Sequence, residues 1–260
     1  MTSREIHLNP ITIKPNGMLN NFSGSIVDIV NGDYRTAEVF KKYSINFCCG
    51  GQVSLIDTCK QRNIDYDNMI EELKWATRNI VVSNDLPFEL WEPDFLIDYI
   101  THLHHIYIYQ NVPVLEPEFN SFVVSHERNF PEIIKVQATF KKLCSLLLVH
   151  SKHEDEVIFP YIKQCCAAFR HKETYGNLFV RTLRKPFNHI QSEHAEIEKL
   201  ASELKELTHQ FTPPVKACTK HQILYKKLND FHDNLIQHKY LETNLLYPQA
   251  IGIENQLLQT

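Results

Sequence analysis

An all-α protein is predicted, a four-helix bundle preceded by a small helical module, and three observations predict it. Only 7 of the 260 residues are glycine while 43% are hydrophobic, which suits packed helices. From Asp94 onward, apolar residues recur at helical spacing over long stretches, as in Leu96, Ile97, Ile100 and Leu103. The third observation is a repeat. The pattern His-x-x-x-Glu-x-x-x-(Ile/Leu)-(Phe/Tyr)-Pro runs from His150 through Glu154 to Pro160, and again from His238 through Glu242 to Pro248. Another histidine precedes each copy at matching distance, His105 by 45 residues and His194 by 44, so two related halves are expected.

Residues 1–22 hold two prolines and an alternating Ile-Thr-Ile, and read as an extended arm. Residues 23–76 read as a small helical domain. Ser25 caps a first helix at Ile26, a second runs from Tyr34 to Tyr43, a Cys-Cys-Gly-Gly turn follows, and further helices pass through Leu55-Ile56 and Met69 to Trp75. Residues 77–93, with Pro87 and Pro93, read as a linker. The bundle is expected over 94–250, with 251–260 as a tail.

Its first helix carries Leu96, Ile97, Ile100, Leu103 and His105, and weakens near Pro113 and Pro117. The second spans Pro131 to Ala168, with Ile134, Phe140, Leu143, Leu147 and His150 on one side. The basic, polar segment 169–185 reads as a solvated loop. The third helix spans Pro186 to His209, and Pro213-Pro214 starts a fourth that runs through Leu224, Leu228, Phe231 and Leu235 to Pro248.

A net charge of −4 without a basic cluster argues against nucleic-acid binding. No apolar run approaches the roughly 20 residues that span a bilayer, and MTSREIHLNP lacks the apolar stretch of a signal peptide, so no membrane and a cytoplasmic location are expected. Seven cysteines without a C-x-x-C form neither a zinc framework nor a disulfide scaffold.

Residues four apart stack on one helix face, so His150 with Glu154 and His238 with Glu242 can each reach one metal, or the glutamate can bridge two. The chain holds 14 histidines, and the bare His-x-x-x-Glu also occurs at His189/Glu193 and His194/Glu198. The trailing aromatic-Pro and the upstream histidine are what set the two copies apart. Apolar neighbours such as Leu146-Leu147-Leu148 and Leu245-Leu246 turn these groups toward a core. Six buried groups without partners would cost on the order of 10 kcal/mol, comparable to a whole domain's net stability. Four imidazoles and two bridging carboxylates favour a pair of irons, although imidazole also suits zinc, copper and nickel. His104, about 100° around the helix from His105, is expected beside the ligand layer or at the surface, and His232, six residues before His238, beside the ligand layer. His153 and Glu156 fall off the ligand face, and His189 and Glu193 are expected in solvent.

Two motif groups resemble the Repair of Iron Centres family over residues 25–250. One is Tyr43-Ser-Ile-Asn-Phe-Cys48-Cys49-Gly50-Gly51; the other is the bundle set of His105, the two His-x-x-x-Glu copies and Gln-Ser-Glu-His194. The resemblance implies a short cysteine-bearing domain followed by a hemerythrin-like bundle. It also implies an oxo- and carboxylate-bridged di-iron centre, with His105, His150, His194 and His238 as terminal ligands and Glu154 and Glu242 as bridges. The implied function is repair of iron–sulfur clusters damaged by nitrosative or oxidative stress, by iron donation, by nitric oxide reduction, or both. Damaged iron–sulfur proteins would be the clients, and a homodimer is one expected assembly. The alternative is a hemerythrin-like carrier or sensor of dioxygen or nitric oxide. Cys48 and Cys49 have two readings: thiols activated at the turn before a helix, or small apolar groups in a tight turn that needs Gly50-Gly51.

Overall fold

The computed structural model describes residues 22, 24–48, 51–78, 86–173, 175–183 and 187–259. The arm at 1–21, Cys49 and Gly50 lie outside the described residues. Those described are all-α, and their only β feature is one isolated bridge between Ser25 and Ser54. The chain divides into two compact units, Met1–Ile80 and Val81–Thr260.

Among its described residues the smaller unit holds four short helices: α1 (Ile26–Gly32), α2 (Thr36–Lys42), α3 (Leu55–Arg62) and α4 (Tyr66–Thr77). Three of them start on side-chain caps. The Ser25 hydroxyl accepts from the Asp28 amide, Ser54 serves Asp57, and Asp65 serves Asn68. Such caps matter because helices this short are marginal without tertiary packing. Phe40, Met69, Leu73, Leu55, Ile26 and Val30 supply that packing and are buried.

The larger unit is built on four long helical runs. The first is α5 (Pro93–Tyr99), a π-helical turn (Ile100–His105) and α6 (Ile106–His126). The second is α7 (Ile133–His153), a π turn (Glu154–Ile158) and α8 (Phe159–His171). The third is α10 (Phe187–Leu207), preceded by the short α9 (Gly176–Leu183). The fourth is α11 (Thr219–Tyr240), a π turn (Leu241–Leu246) and α12 (Tyr247–Gln259).

The core is in two apolar clusters. One contains Ile108, Phe119, Phe140, Leu147, Leu204, Leu228 and Phe231. The other contains Leu96, Ile100, Ile158, Ile162, Ile190, Leu246 and Leu257. Each run passes from one cluster to the other, and successive runs pass in opposite senses, which makes the bundle up-down-up-down. In every run the switch falls at a histidine: 105, 150, 194 and 238. A polar layer therefore divides the core.

The structure departs from several sequence expectations. The first run does not break at Pro113 and Pro117, and α6 continues through both. Both prolines are exposed, and on the solvent side of a helix the loss of an amide donor costs little because water replaces it. The segment 169–185 is not simply a solvated loop: it holds α9, whose Val180 is fully buried. The fourth run starts at Thr219 rather than at the proline pair. It continues past residue 250, with Leu257 buried against Gly176, where even a methyl group would approach Leu257 Cδ2 to 2.9 Å. Leu103 and Ile134 are exposed, and the neighbours Ile100 and Ile133 take the core positions.

Candidate metal centre

Helix periodicity alone does not aim the ligands; three π turns help. His105 ends the first, Glu154 begins the second and Glu242 lies in the third. In each, the amide leaving the turn bonds five residues back, Ile106 to Thr101, Phe159 to Glu154 and Tyr247 to Glu242. Such single-turn insertions concentrate at functional sites because they re-aim side chains. The trailing prolines, Pro160 and Pro248, come just after the second and third turns. Proline has no amide to place, so the register returns to ordinary helix where a donor is already missing.

All six predicted ligands are buried and converge in two groups: His105, His238, Glu154 and Glu242, and His150, His194, Glu154 and Glu242. The pairing joins the outer two histidines of the chain and the inner two. In the first group the facing Nε2 atoms of His105 and His238 are 3.0 Å apart. Glu154 Oε2 lies 3.4 Å from His105 Nε2, and Glu242 Oε1 lies 2.5 Å from His238 Nε2. In the second group the Nε2 atoms of His150 and His194 are 3.1 Å apart. Glu154 Oε1 is 3.2 Å from His150 Nε2, and Glu242 Oε2 is 3.3 Å from His194 Nε2. Each carboxylate thus presents one oxygen to each group.

The donor set fits cations. Ligands bound at 2.0–2.2 Å to one ion stand about 3–3.6 Å from each other. Among the described residues, two buried oxygens, Glu154 Oε2 and Glu242 Oε1, have no hydrogen-bond partner outside the ligand imidazoles, which is costly unless a cation takes them. Both positions offer two imidazole nitrogens and two carboxylate oxygens, a set that suits iron and leaves room for small ligands.

Behind the ligands a second layer follows the same repeat. Asp155 Oδ1 accepts from His105 Nδ1 at 2.7 Å, and Thr243, its counterpart 88 residues on, meets His194 Nδ1 at 3.1 Å. Glu193 Oε2 accepts from His150 Nδ1 at 2.8 Å. Its counterpart His104 is buried and lies parallel to the His238 ring, centroids 5.5 Å apart. Such partners fix ring orientation and tautomer. Phe159 stacks on His105, while its counterpart Tyr247 donates its hydroxyl to Glu154 Oε1.

Without a cation the layer carries its own compensating charge. Burial disfavours a charged His105, but the hydrogen bond to Asp155 and the neighbouring carboxylates of Glu154 and Glu242 outweigh it and raise the pKa to about 11. Burial likewise opposes, and the Glu154 charge overcomes, at His150, raised to about 9. Glu154 and Glu242 are both held below the ordinary range: burial and mutual repulsion push Glu154 up, burial pushes Glu242 up, and the surrounding histidines win. His104, with no carboxylate in contact, is lowered to about 4, chiefly by burial.

Asp155, Glu193, Thr243 and Tyr247 are functional residues that were not expected from the sequence. Glu193 was expected in solvent, yet it anchors His150; the usable signal was its place one residue before a ligand, matching His104. His153 is half-buried and Glu156 exposed, neither in a ligand group, and the His189 side chain lies outside the described residues. His232 packs on Phe211 in the apolar part of α11. Cys48 is half-buried, and its amide donates to Asn46 Oδ1 at 3.0 Å. The cap of α3 is Ser54, so Cys48 is not a first-turn residue of that helix. Gly51 is needed for close approach, because a methyl group there would meet Val27 Cγ2 at 2.5 Å.

A bundle of this topology with a buried layer of four histidines and two glutamates defines a hemerythrin-type cation-binding protein. Residues 97–250 match the hemerythrin HHE cation binding domain, and residues 23–77 match ScdA_N, a domain of unknown function. The chain belongs to the Repair of Iron Centres family, which joins these two domains. It is 30% identical over 224 residues to the iron-sulfur cluster repair protein YtfE of Cronobacter sakazakii, covering 85% of this chain and 92% of that protein. It is 24% identical over 222 residues to the iron-sulfur cluster repair protein ScdA of Staphylococcus haemolyticus, covering 85% and 95%. Among the described residues, no helix is long and apolar enough to cross a membrane.

Proposed function

We propose that the protein holds two iron ions across Glu154 and Glu242 and restores damaged iron–sulfur clusters by releasing iron to them. The observation that carries this reading is the double convergence of donors, in which each carboxylate offers one oxygen to His105/His238 and the other to His150/His194. Iron bound there supplies redox chemistry and coordination positions for small ligands. The chain's own residues orient the imidazoles through Asp155, Glu193 and Thr243 and keep bulk water from the carboxylates, which are at most 1% exposed. The names of the relatives support the same activity. In this reading Cys48 and Cys49 dock or relay the metal to the client.

The test is iron content of anaerobically purified protein, followed by transfer of that iron to a cluster-depleted acceptor. Two irons, transferred by the wild type and not by Cys48→Ala/Cys49→Ala, is the expected result. Two irons retained against the acceptor would instead favour nitric oxide reduction or reversible gas binding at the same centre. Zinc alone, or no metal, would overturn the reading.

A further inference from the structure

The two halves of the ligand layer match in position but not in support. At the His150/His194 position three ligands are held from behind. Glu193 fixes His150, Thr243 contacts His194, and the Tyr247 hydroxyl donates to Glu154 Oε1, the oxygen nearer that position. At the His105/His238 position, among the described residues, only the His105 imidazole is so held, by Asp155. Among the described residues, His238 Nδ1 is buried without a hydrogen-bond partner, and His104, stacked parallel to the ring, gives it no acceptor. Among the described residues, the oxygens facing this position, Glu154 Oε2 and Glu242 Oε1, receive no hydrogen bond from outside the ligand layer. The repeat predicts a counterpart to Tyr247 that would serve Glu242, but the residue there is Phe159, which has no hydroxyl.

We propose that the His105/His238 position is the exchangeable one, and that Tyr247 is the positioning residue that makes the His150/His194 position the retained one. A ligand anchored from behind loses little orientational freedom when it binds, and it recaptures an ion that has begun to leave. Removing such an anchor typically costs about 10–100-fold in metal affinity. Hydrogen bonding by Tyr247 also draws electron density from Glu154 Oε1, which weakens that one contact. Anchoring outweighs it, since both imidazoles and the nearer Glu154 oxygen are supported on one side, against a single imidazole on the other. The proposal rests on the two-ion reading of the site and not on the repair activity.

The experiment is release of iron from anaerobically loaded protein to a ferrous chelator, with no client present. Wild type should release its two ions in two phases of equal amplitude. His105→Ala should retain the slow ion and His194→Ala the fast one. Tyr247→Phe should accelerate the slow phase by about 10-fold or more and leave the fast phase unchanged. Thr243→Val, which removes a different anchor on the same side, should act on the same phase, so the test survives if one variant folds poorly. Mössbauer spectra of the loaded wild type should show two inequivalent iron doublets that draw together in Tyr247→Phe. A single release phase in the wild type, or acceleration of the fast phase by Tyr247→Phe, would overturn the proposal. Loading of fewer than two ions would overturn the two-ion reading beneath it, and failure of transfer to a client would leave release kinetics untouched.

Discussion

Two regions of the bundle bury histidine, and they treat it in opposite ways. His221, near the start of α11, is fully buried, with both ring nitrogens unpartnered among the described residues. Phe122, Phe130 and Tyr225 surround it, with ring centroids 4.9, 4.8 and 4.7 Å away. Burial there, with the nearby His126, lowers its pKa to about 4, so it behaves as a small neutral aromatic. His105 is equally buried but lies among Asp155, Glu154 and Glu242, and its pKa is raised to about 11. Burial alone does not make a histidine a ligand. Carboxylates within reach and a second imidazole aimed at the same point do.

The largest effect that would break this contrast comes from removing the carboxylates. Glu154→Leu with Glu242→Leu should lower bound metal from two ions to none, read by elemental analysis of protein that keeps its helical circular dichroism. Retention of two ions would show that the glutamates do not bridge.

Next in size is a reversal with pH. In the metal-free protein His105 and His150 have folded pKa values above the unfolded value of about 6.5. Their contribution is therefore complete below that pH and is lost as pH rises, through about 9 for His150 and about 11 for His105. Glu154 and Glu242 are lowered, so theirs is present above about pH 4.5 and is lost on acidification. Metal binding requires neutral imidazoles and strengthens with rising pH. Urea midpoints between pH 6 and pH 10 should fall for metal-free protein and hold or rise for loaded protein. Parallel curves would mean that the layer is uncharged without metal.

The sequence made the six ligands legible because spacing and the trailing aromatic-Pro survive without knowledge of the fold. It also made the four long runs legible through their apolar periodicity. It could not show that His105 shares a group with His238, since periodicity orders residues on one helix and says nothing about which helices face. The anchors were hidden for another reason. Asp155, Glu193 and Thr243 are polar residues in a pattern that reads them as solvated, and only the repeat of positions across the halves marks them. The prolines of α6 misled because a helix exposed on one side forfeits amide bonds where water replaces them. The 251–260 segment looked like a tail because one turn of Leu257 and Leu258 carries too little periodicity, and α9, which packs on it, was itself unrecognised.

Smaller changes sharpen the contrast within the layer. Asp155→Asn and Glu193→Gln leave every ligand in place but weaken the acceptor behind one imidazole each. Each should lower metal affinity by about 10-fold, measured by competition with a chelator of known strength. No change in either would mean that ring orientation is set by packing, as at His238, rather than by the carboxylates.

The smallest effect belongs to His221. Leaving buried polar atoms unpaired costs about 1–3 kcal/mol, and an apolar ring of similar shape removes that cost. Offset by imperfect packing, His221→Phe should stabilise by about 1 kcal/mol at pH 8, a melting shift of about 2–4 °C for a protein of this size. The sign of its pH dependence is fixed by the lowered pKa. Wild type loses stability as pH falls from the unfolded value of about 6.5 toward about 4, because only the unfolded chain takes up the proton. The phenylalanine variant has no such loss, so its advantage should widen at pH 5. Metal content should stay at the wild-type level at both pH values. A destabilised variant, or one that binds less metal, would show that His221 has a partner and a role of its own, and the contrast between the two regions would fail there.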